Sequence, residues 1–248
     1  MKTAIAALIL LAAPATYAHA QTVRFTTEDY PPYNLRTADG GISGASYEQI
    51  KIIMPKIGVD YTIELMPWAR ALGLAETEPN TCVFTTAHIP ERNDRFKWIE
   101  PLALDRNYMV AREGTGVVAK DLETARQYVV GTQRNDYTQA ILERNLFPKI
   151  DLATDLDLTL KKLLAARIDL MPMSELYYRQ LKGEGQPLEA KFIFSQQTFS
   201  IACNINFPTD IQSKMQVALD EMIADGTQER ILVRYGLGPV TAQNTAPK

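Results

Sequence analysis

Short alternating runs and helically spaced apolar residues follow one another along most of the chain. Residues 23–27 alternate and predict a first strand. Tyr30-Pro31-Pro32-Tyr33 cannot continue it, because two prolines fix the backbone and remove donors. After the Gly40-Gly41 turn, residues 43–57 carry Ala45, Ile50, Ile53 and Ile57 at helical spacing. Residues 61–65 alternate as a strand. Pro67 suits a helix start, and Trp68, Leu72 and Ala75 give that helix one apolar face. Residues 81–85 complete a β-α-β-α-β order, which predicts a mostly parallel sheet with helices on its faces.

The pattern then restarts. Strands are expected at 107–111, 128–131, 149–152, 168–171, 191–194 and 199–203, and helices at 136–145, 156–166, 174–182, 210–224 and 227–235. Residues 183–187 read as a loop. Asp225-Gly226-Thr227 separates the last two helices, and 241–248 is polar and expected to fray. Two α/β units in one chain suggest two lobes.

Composition narrows the setting. The chain has 248 residues, 46% hydrophobic and 22% charged, enough for two modest lobes with a core. A net charge of −3 and a pI near 5.5 give no basic face for nucleic acid. Lys2, the apolar run 4–13 and Ala18-His19-Ala20 form a secretory signal peptide pattern, with cleavage expected after Ala20 and a periplasmic destination. In that oxidising compartment Cys82 and Cys203 are open to two states, a bridge or two buried thiols. A bridge would tie the first half of the chain to its last quarter.

Chemistry concentrates at Thr85-Thr86-Ala87-His88-Ile89-Pro90-Glu91-Arg92. A strand ends there in hydroxyls, backbone N–H groups and one guanidinium, whose fork of donors suits a carboxylate. The plainer alternative is a surface arginine paired with Glu91 or Asp94. Nucleophile-elbow, phosphate-loop and zinc-helix motifs are missing from the sequence. His88 is the one histidine left after cleavage, so a histidine-rich metal site is excluded, and no cofactor is implied.

The Pro90-Glu91-Arg92 segment with the later Phe96 resembles the periplasmic solute-binding proteins that feed polar amino-acid ABC transporters, the family 3 type. Tyr30-Pro31-Pro32-Tyr33, Ala166-Arg167-Ile168-Asp169-Leu170 and the closing 219–238 stretch are similar too, so the resemblance covers nearly all of the mature chain. It implies a two-lobed periplasmic binding protein fold, α/β, with a central mixed sheet in each lobe and a two-segment hinge. Lobe 1 is expected at 21–104 and 199–248 and lobe 2 at 105–198, with ligand in the cleft between them.

The resemblance also suggests roles. Arg92 matches the arginine that clamps a ligand carboxylate, and Thr85 and Ala87 match ligand-contact positions. Tyr30 matches an aromatic cover and Trp68 an apolar contact, with ordinary packing as the alternative for each. In lobe 2, Asn135, Asp136 and Tyr137 replace the usual small residues of the loop that meets the ligand, and Asp136 also reads as a helix N-cap. Where the family commonly places an aspartate for the ligand's α-ammonium, this chain has Ser174 with Glu175 beside it. Ser174 also reads as an N-cap and Glu175 as a first-turn acid. The resemblance therefore implies a monomeric binding protein, not an enzyme, for a small polar carboxylate-bearing solute, amino-acid-like in kind, delivered to an inner-membrane ABC permease. Two alternatives use the same cleft: a cyclohexadienyl-dehydratase-like enzyme with Glu175 or Asp136 as general acid, and a periplasmic sensor input.

Overall fold

A computed structural model describes residues 22–240. The expected signal peptide and the polar end at 241–248 lie outside the described residues. Among the described residues no helix is long and apolar enough to cross a membrane.

The first lobe follows the β-α-β-α-β expectation. Strand β1 (Val23–Thr27) pairs in parallel with β4 (Tyr61–Leu65) and β5 (Thr81–Ala87). A small antiparallel hairpin, β2 (Leu35–Arg36) and β3 (Ile42–Ser43), precedes helix α1 (Ala45–Ile57). The helix buries Ile50, Ile53 and Met54, and Gly58 closes it in the left-handed region that glycine accepts without penalty. Helix α2 (Trp68–Thr77) starts at Pro67 and packs Trp68, Ala71, Leu72 and Ala75 with Val83 and Phe96. Every residue of β5 is buried, because the strand lies inside the sheet with both faces covered.

A 3-10 turn, Pro90–Arg95, leads into β6 (Phe96–Arg112). After the short α3 (Leu122–Ala125), the second lobe adds β7 (Val130–Gln133), α4 (Tyr137–Arg144), β8 (Ile150–Ala153) and α5 (Leu156–Leu164). Strand β9 (Leu170–Ser174) and α6 (Glu175–Gly183) precede β10 (Leu188–Asn204). The chain ends with α7 (Thr209–Ala224) and α8 (Thr227–Arg234), separated at Gly226, whose φ is 74°.

Two expectations needed correction. The runs 191–194 and 199–203 are one strand, and 107–111 is the far end of a strand that begins at Phe96. The polar residues Ser195, Gln196, Gln197 and Thr198 broke the apolar pattern. They still pair with Asn107, Arg106, Asp105 and Leu104 of β6, because ladder hydrogen bonds come from the backbone. The second correction follows from the first. Strands β6 and β10 run unbroken through both lobes, so the lobes share one eight-stranded sheet in the order β4-β1-β5-β10-β6-β9-β7-β8. The expected crossing points fall on Leu104 and Thr198, which are direct partners in that ladder.

Cys82 and Cys203 face each other across β5 and β10 and form a disulfide. It closes a sequence separation of 121 residues.

Candidate ligand-binding cleft

Strand β1 is followed by Glu28 and passes into the Tyr30–Tyr33 turn. Tyr30 stacks on Tyr33 at 5.7 Å, and both meet Phe199 of β10 edge-on at 6.1 and 4.9 Å. Tyr137, at the start of α4, reaches the same Phe199 from the other lobe at 6.2 Å. An aromatic cluster thus fills the hinge side of the cleft.

Beside it, Thr85 has a φ of 59°, a left-handed backbone that β-branched residues rarely adopt. Asn34 holds it there. The Thr85 hydroxyl donates to Asn34 Oδ1, while Asn34 Nδ2 donates to Thr27 Oγ1 and to the Glu28 carbonyl. The distortion turns the end of β5 toward the cleft. Across the cleft Asn135 is also left-handed, with φ of 61°. Its carbonyl accepts from Trp68 Nε1 at 2.9 Å and from an Arg92 terminal nitrogen at 2.8 Å. One lobe 2 carbonyl therefore meets two donors of lobe 1.

The resulting cavity, closed down to about 20 Å³, is lined from lobe 1 by Glu28, Tyr30, Trp68, Thr85 and Ala87. Thr132, Gln133, Asp136, Tyr137, Thr138 and Leu156 line it from lobe 2, with Asn107 and Phe199 between. Asp136 caps α4, accepting from the Thr138 N–H at 2.9 Å. Gln133 Nε2 donates to Glu28 Oε2 across the cleft at 2.5 Å. Among the lining residues none is basic.

That imbalance shifts the carboxyls. Burial, and then the nearby charge of Asp136, push Glu28 up to about 8. Burial also raises Asp136, partly opposed by the Thr138 hydroxyl and the Arg92 charge. Arg92 is 3% exposed, and burial lowers it to about 10. It therefore stays charged near neutrality.

Of the residues expected from sequence, Tyr30, Trp68, Thr85, Ala87, Asp136 and Tyr137 line this cavity. Arg92 and Asn135 stand just behind it, on the far side of Trp68. The Arg92 guanidinium lies over the Trp68 ring at 5.3 Å, with one donor on the Ala87 carbonyl at 3.2 Å and another on Asn135. Ser174 and Glu175 do not line the cavity. Ser174 ends β9, fully buried opposite Asn107, and makes no side-chain cap. Glu175 pairs with Arg106 at 2.7 Å and with Arg179 one helical turn on, behind the hinge. Both therefore stand outside the residues that line this cavity. His88 stacks on Trp98 at 4.0 Å and meets Glu100 and Asn93, also outside the cavity.

Sequence reasoning missed Glu28, Asn107 and Phe199. Glu28 follows directly on the first strand, and the carboxyl ends of strands are where open α/β sheets place ligands. That signal was available. Asp105 was missed too. It sits on β6 at the hinge, accepts from Tyr33 at 2.8 Å and from Asn107, and is pushed by burial to about 6. Among the described residues no group of three or more His, Cys, Asp or Glu is arranged to hold a metal ion.

The model for bacterial extracellular solute-binding proteins, family 3, matches residues 23–238. The chain belongs to that family. Solved structures agree at the level of the fold. ArtJ of Geobacillus stearothermophilus, described as an arginine-, lysine- and histidine-binding protein, superposes with a TM-score of 0.79 at 16% identity, covering 90% of this chain and 98% of its own. A mutant of ArgBP from T. maritima gives 0.79 at 16%, covering 87% and 95%. A histidine kinase sensor domain similar to periplasmic binding proteins gives 0.80 at 18%, covering 88% and 98%. No curated protein matches the chain. As a family 3 protein with a cavity between its lobes, the chain has a substrate-binding role. The family and these neighbours are binding proteins rather than a class of enzymes.

Proposed function

We propose that this family 3 protein captures a small, positively charged, amino-acid-sized solute in the periplasm and presents it to an inner-membrane ABC permease. One observation carries the reading. Glu28 and Asp136 face one cavity from opposite lobes, with no basic residue among those that line it. Two like charges brought together in a partly desolvated space raise each other's proton affinity. A bound ammonium or guanidinium reverses that cost. The rings of Tyr30, Trp68, Tyr137 and Phe199 supply π faces that also favour a cation. Among the structural neighbours is an ancestral arginine-binding protein bound to arginine.

The expectation of a carboxylate-bearing solute is narrowed by the same geometry. Two of the Arg92 donors already meet carbonyl oxygens, and Asp136 lies close enough to offset its charge. A ligand carboxylate would have to displace Asn135 and approach Asp136. The cation is therefore the selected feature. The test is calorimetry on protein stripped of carried solute by unfolding and refolding, against arginine, agmatine, glutamate and prephenate. Agmatine, which lacks the carboxylate, should bind within about tenfold of arginine, a difference of about 1.4 kcal/mol. Binding of glutamate or prephenate but neither cation would refute the reading, and prephenate turnover would establish the enzyme alternative instead.

The sensor reading keeps the same cavity and changes only the partner. The likeness to a histidine kinase sensor domain supports carrying it. Capture of a permease, rather than a receptor kinase, by the ligand-loaded protein separates the two.

A further inference from the structure

Beyond the inner cavity the cleft widens into a vestibule of about 580 Å³. Glu28 and Leu156 line both spaces, so the two are continuous. The vestibule is strongly acidic. Glu28, Asp29, Asp155, Asp157 and Glu184 line it, against Arg36 alone. Asp155 has a structural task, capping α5 through the Leu158 N–H at 2.7 Å. Glu184 accepts from Gln180 Nε2 at 2.9 Å and Asp29 from the Arg36 backbone N–H, but neither of them nor Asp157 forms a salt bridge among the described residues. The Arg36 charge acts on Asp29.

A second observation is independent of the charge count. Tyr177 of α6 also lines the vestibule and is only 7% exposed. A buried phenol ordinarily finds a hydrogen-bond partner. The Tyr177 ring is buried, but its hydroxyl opens on the vestibule and meets no protein partner among the described residues. Its proton is held more tightly than usual, up to about 12, by burial first and then by the charges of Asp157, Glu184 and Asp29. Between the acids, Pro31, Leu35, Met66 and Leu181 offer an apolar floor.

We propose that the vestibule is a second subsite for the same ligand, which is an elongated organic oligocation. One cationic group sits against Glu28 and Asp136. A second sits among Asp29, Asp157 and Glu184, with the Tyr177 hydroxyl as a neutral partner. The methylene chain between them lies over Leu156 and Met66. The inference rests on the cation reading of the inner cavity and extends it, since an inner site alone would hold a single charge. The vestibule also steers cations toward the cleft, but steering acts on any positive solute and does not select length.

The experiment is titration calorimetry with two probes, butylguanidine with one cationic group and spermidine with three. The wild-type protein is compared with Glu28→Gln, with the pair Asp157→Asn and Glu184→Gln, and with Tyr177→Phe. Spermidine should bind more tightly than butylguanidine, by on the order of tenfold or more, the value of one additional charge-assisted contact. The vestibule pair should collapse that ratio, and Tyr177→Phe, which alters no charge and little volume, should reduce it. Glu28→Gln should weaken both probes. A wild-type ratio near one, or vestibule variants that weaken both probes in equal proportion, would overturn the second subsite. If Glu28→Gln still weakened both in that case, the inner cation site would stand. Failure of both probes to bind wild-type protein would overturn the inner site and the second subsite together.

Discussion

Binding of a cation should expel a proton from Glu28, and the amount is fixed by where that carboxyl titrates in the empty cleft. Burial and the Asp136 charge hold it at about 8, so at pH 7 it is mostly protonated. A guanidinium ligand stays charged throughout and requires the carboxylate. The apparent association constant then scales with the ionised fraction of Glu28. It falls about tenfold between pH 9 and pH 7 and about tenfold again by pH 6, each decade being about 1.4 kcal/mol. At pH 7 about 0.9 proton should leave for each agmatine bound, the complement of the ionised fraction. Asp136 is raised too, so the acid limb steepens as it joins. Arg92, held at about 10, contributes nothing to this window. Calorimetry at pH 7 in buffers of different ionisation enthalpy reads the proton count, and a pH series reads the slope. Glu28→Gln should lower affinity at pH 9 and flatten the profile below it. A wild-type affinity that is level from pH 6 to 9, with no proton released, would refute the assignment of Glu28 as the cation's partner.

The same shift has a consequence for the empty protein. Glu28 in the folded chain binds its proton more tightly than the unfolded value of 4.5, so the native state holds the extra proton and stability falls as pH rises from there to about 8. Asp105, raised to about 6, acts in the same direction lower in the range; urea unfolding at pH 5 and 8.5 should show the loss, and a gain would contradict it. Replacing Cys82 and Cys203 by serine should cost about 2–5 kcal/mol in chemical unfolding, since the bridge closes a long loop in the unfolded chain. Trp68→Phe keeps a ring and removes the donor to Asn135, so it should weaken ligand binding by about 0.5–1.5 kcal/mol, with a more open average shape by small-angle scattering. Gly44→Ala should destabilise strongly, by about 3 kcal/mol or more, because a Cβ would lie 2.3 Å from the Tyr33 carbonyl oxygen and φ is 125°; a melting temperature equal to wild type would show that the α1 entry can shift.

Most elements were legible because their apolar period survives in the sequence. Val23–Thr27 and Tyr61–Leu65 alternate, and Trp68, Leu72 and Ala75 repeat at helical spacing, so core burial wrote them directly. The hinge strands were legible only in pieces. Ser195 to Thr198 break the pattern at the place where β10 leaves one lobe for the other, and an apolar period records side-chain burial rather than backbone pairing. The disulfide was left open for a different reason. A buried half-cystine and a buried thiol occupy the same kind of strand position, and only the direct pairing of Cys82 with Cys203 separates them.

The site was legible as a place and less so as a chemistry. Tyr30, Trp68, Thr85, Ala87, Asp136 and Tyr137 do converge on one cavity. Arg92, the residue that resemblance puts first, is the one whose surroundings differ most from the expectation. Its guanidinium binds carbonyls, and its charge is answered by Asp136 at a position where the family's small residue would leave it free for the ligand. The partner that decides availability lies 44 positions away on the other lobe, and Glu28 lies a further step back at the end of β1. Neither relation has a local signature. The charge a ligand would meet is a sum over both faces of the cleft, set by Glu28 and Asp136 on opposite lobes as well as by Arg92 behind them.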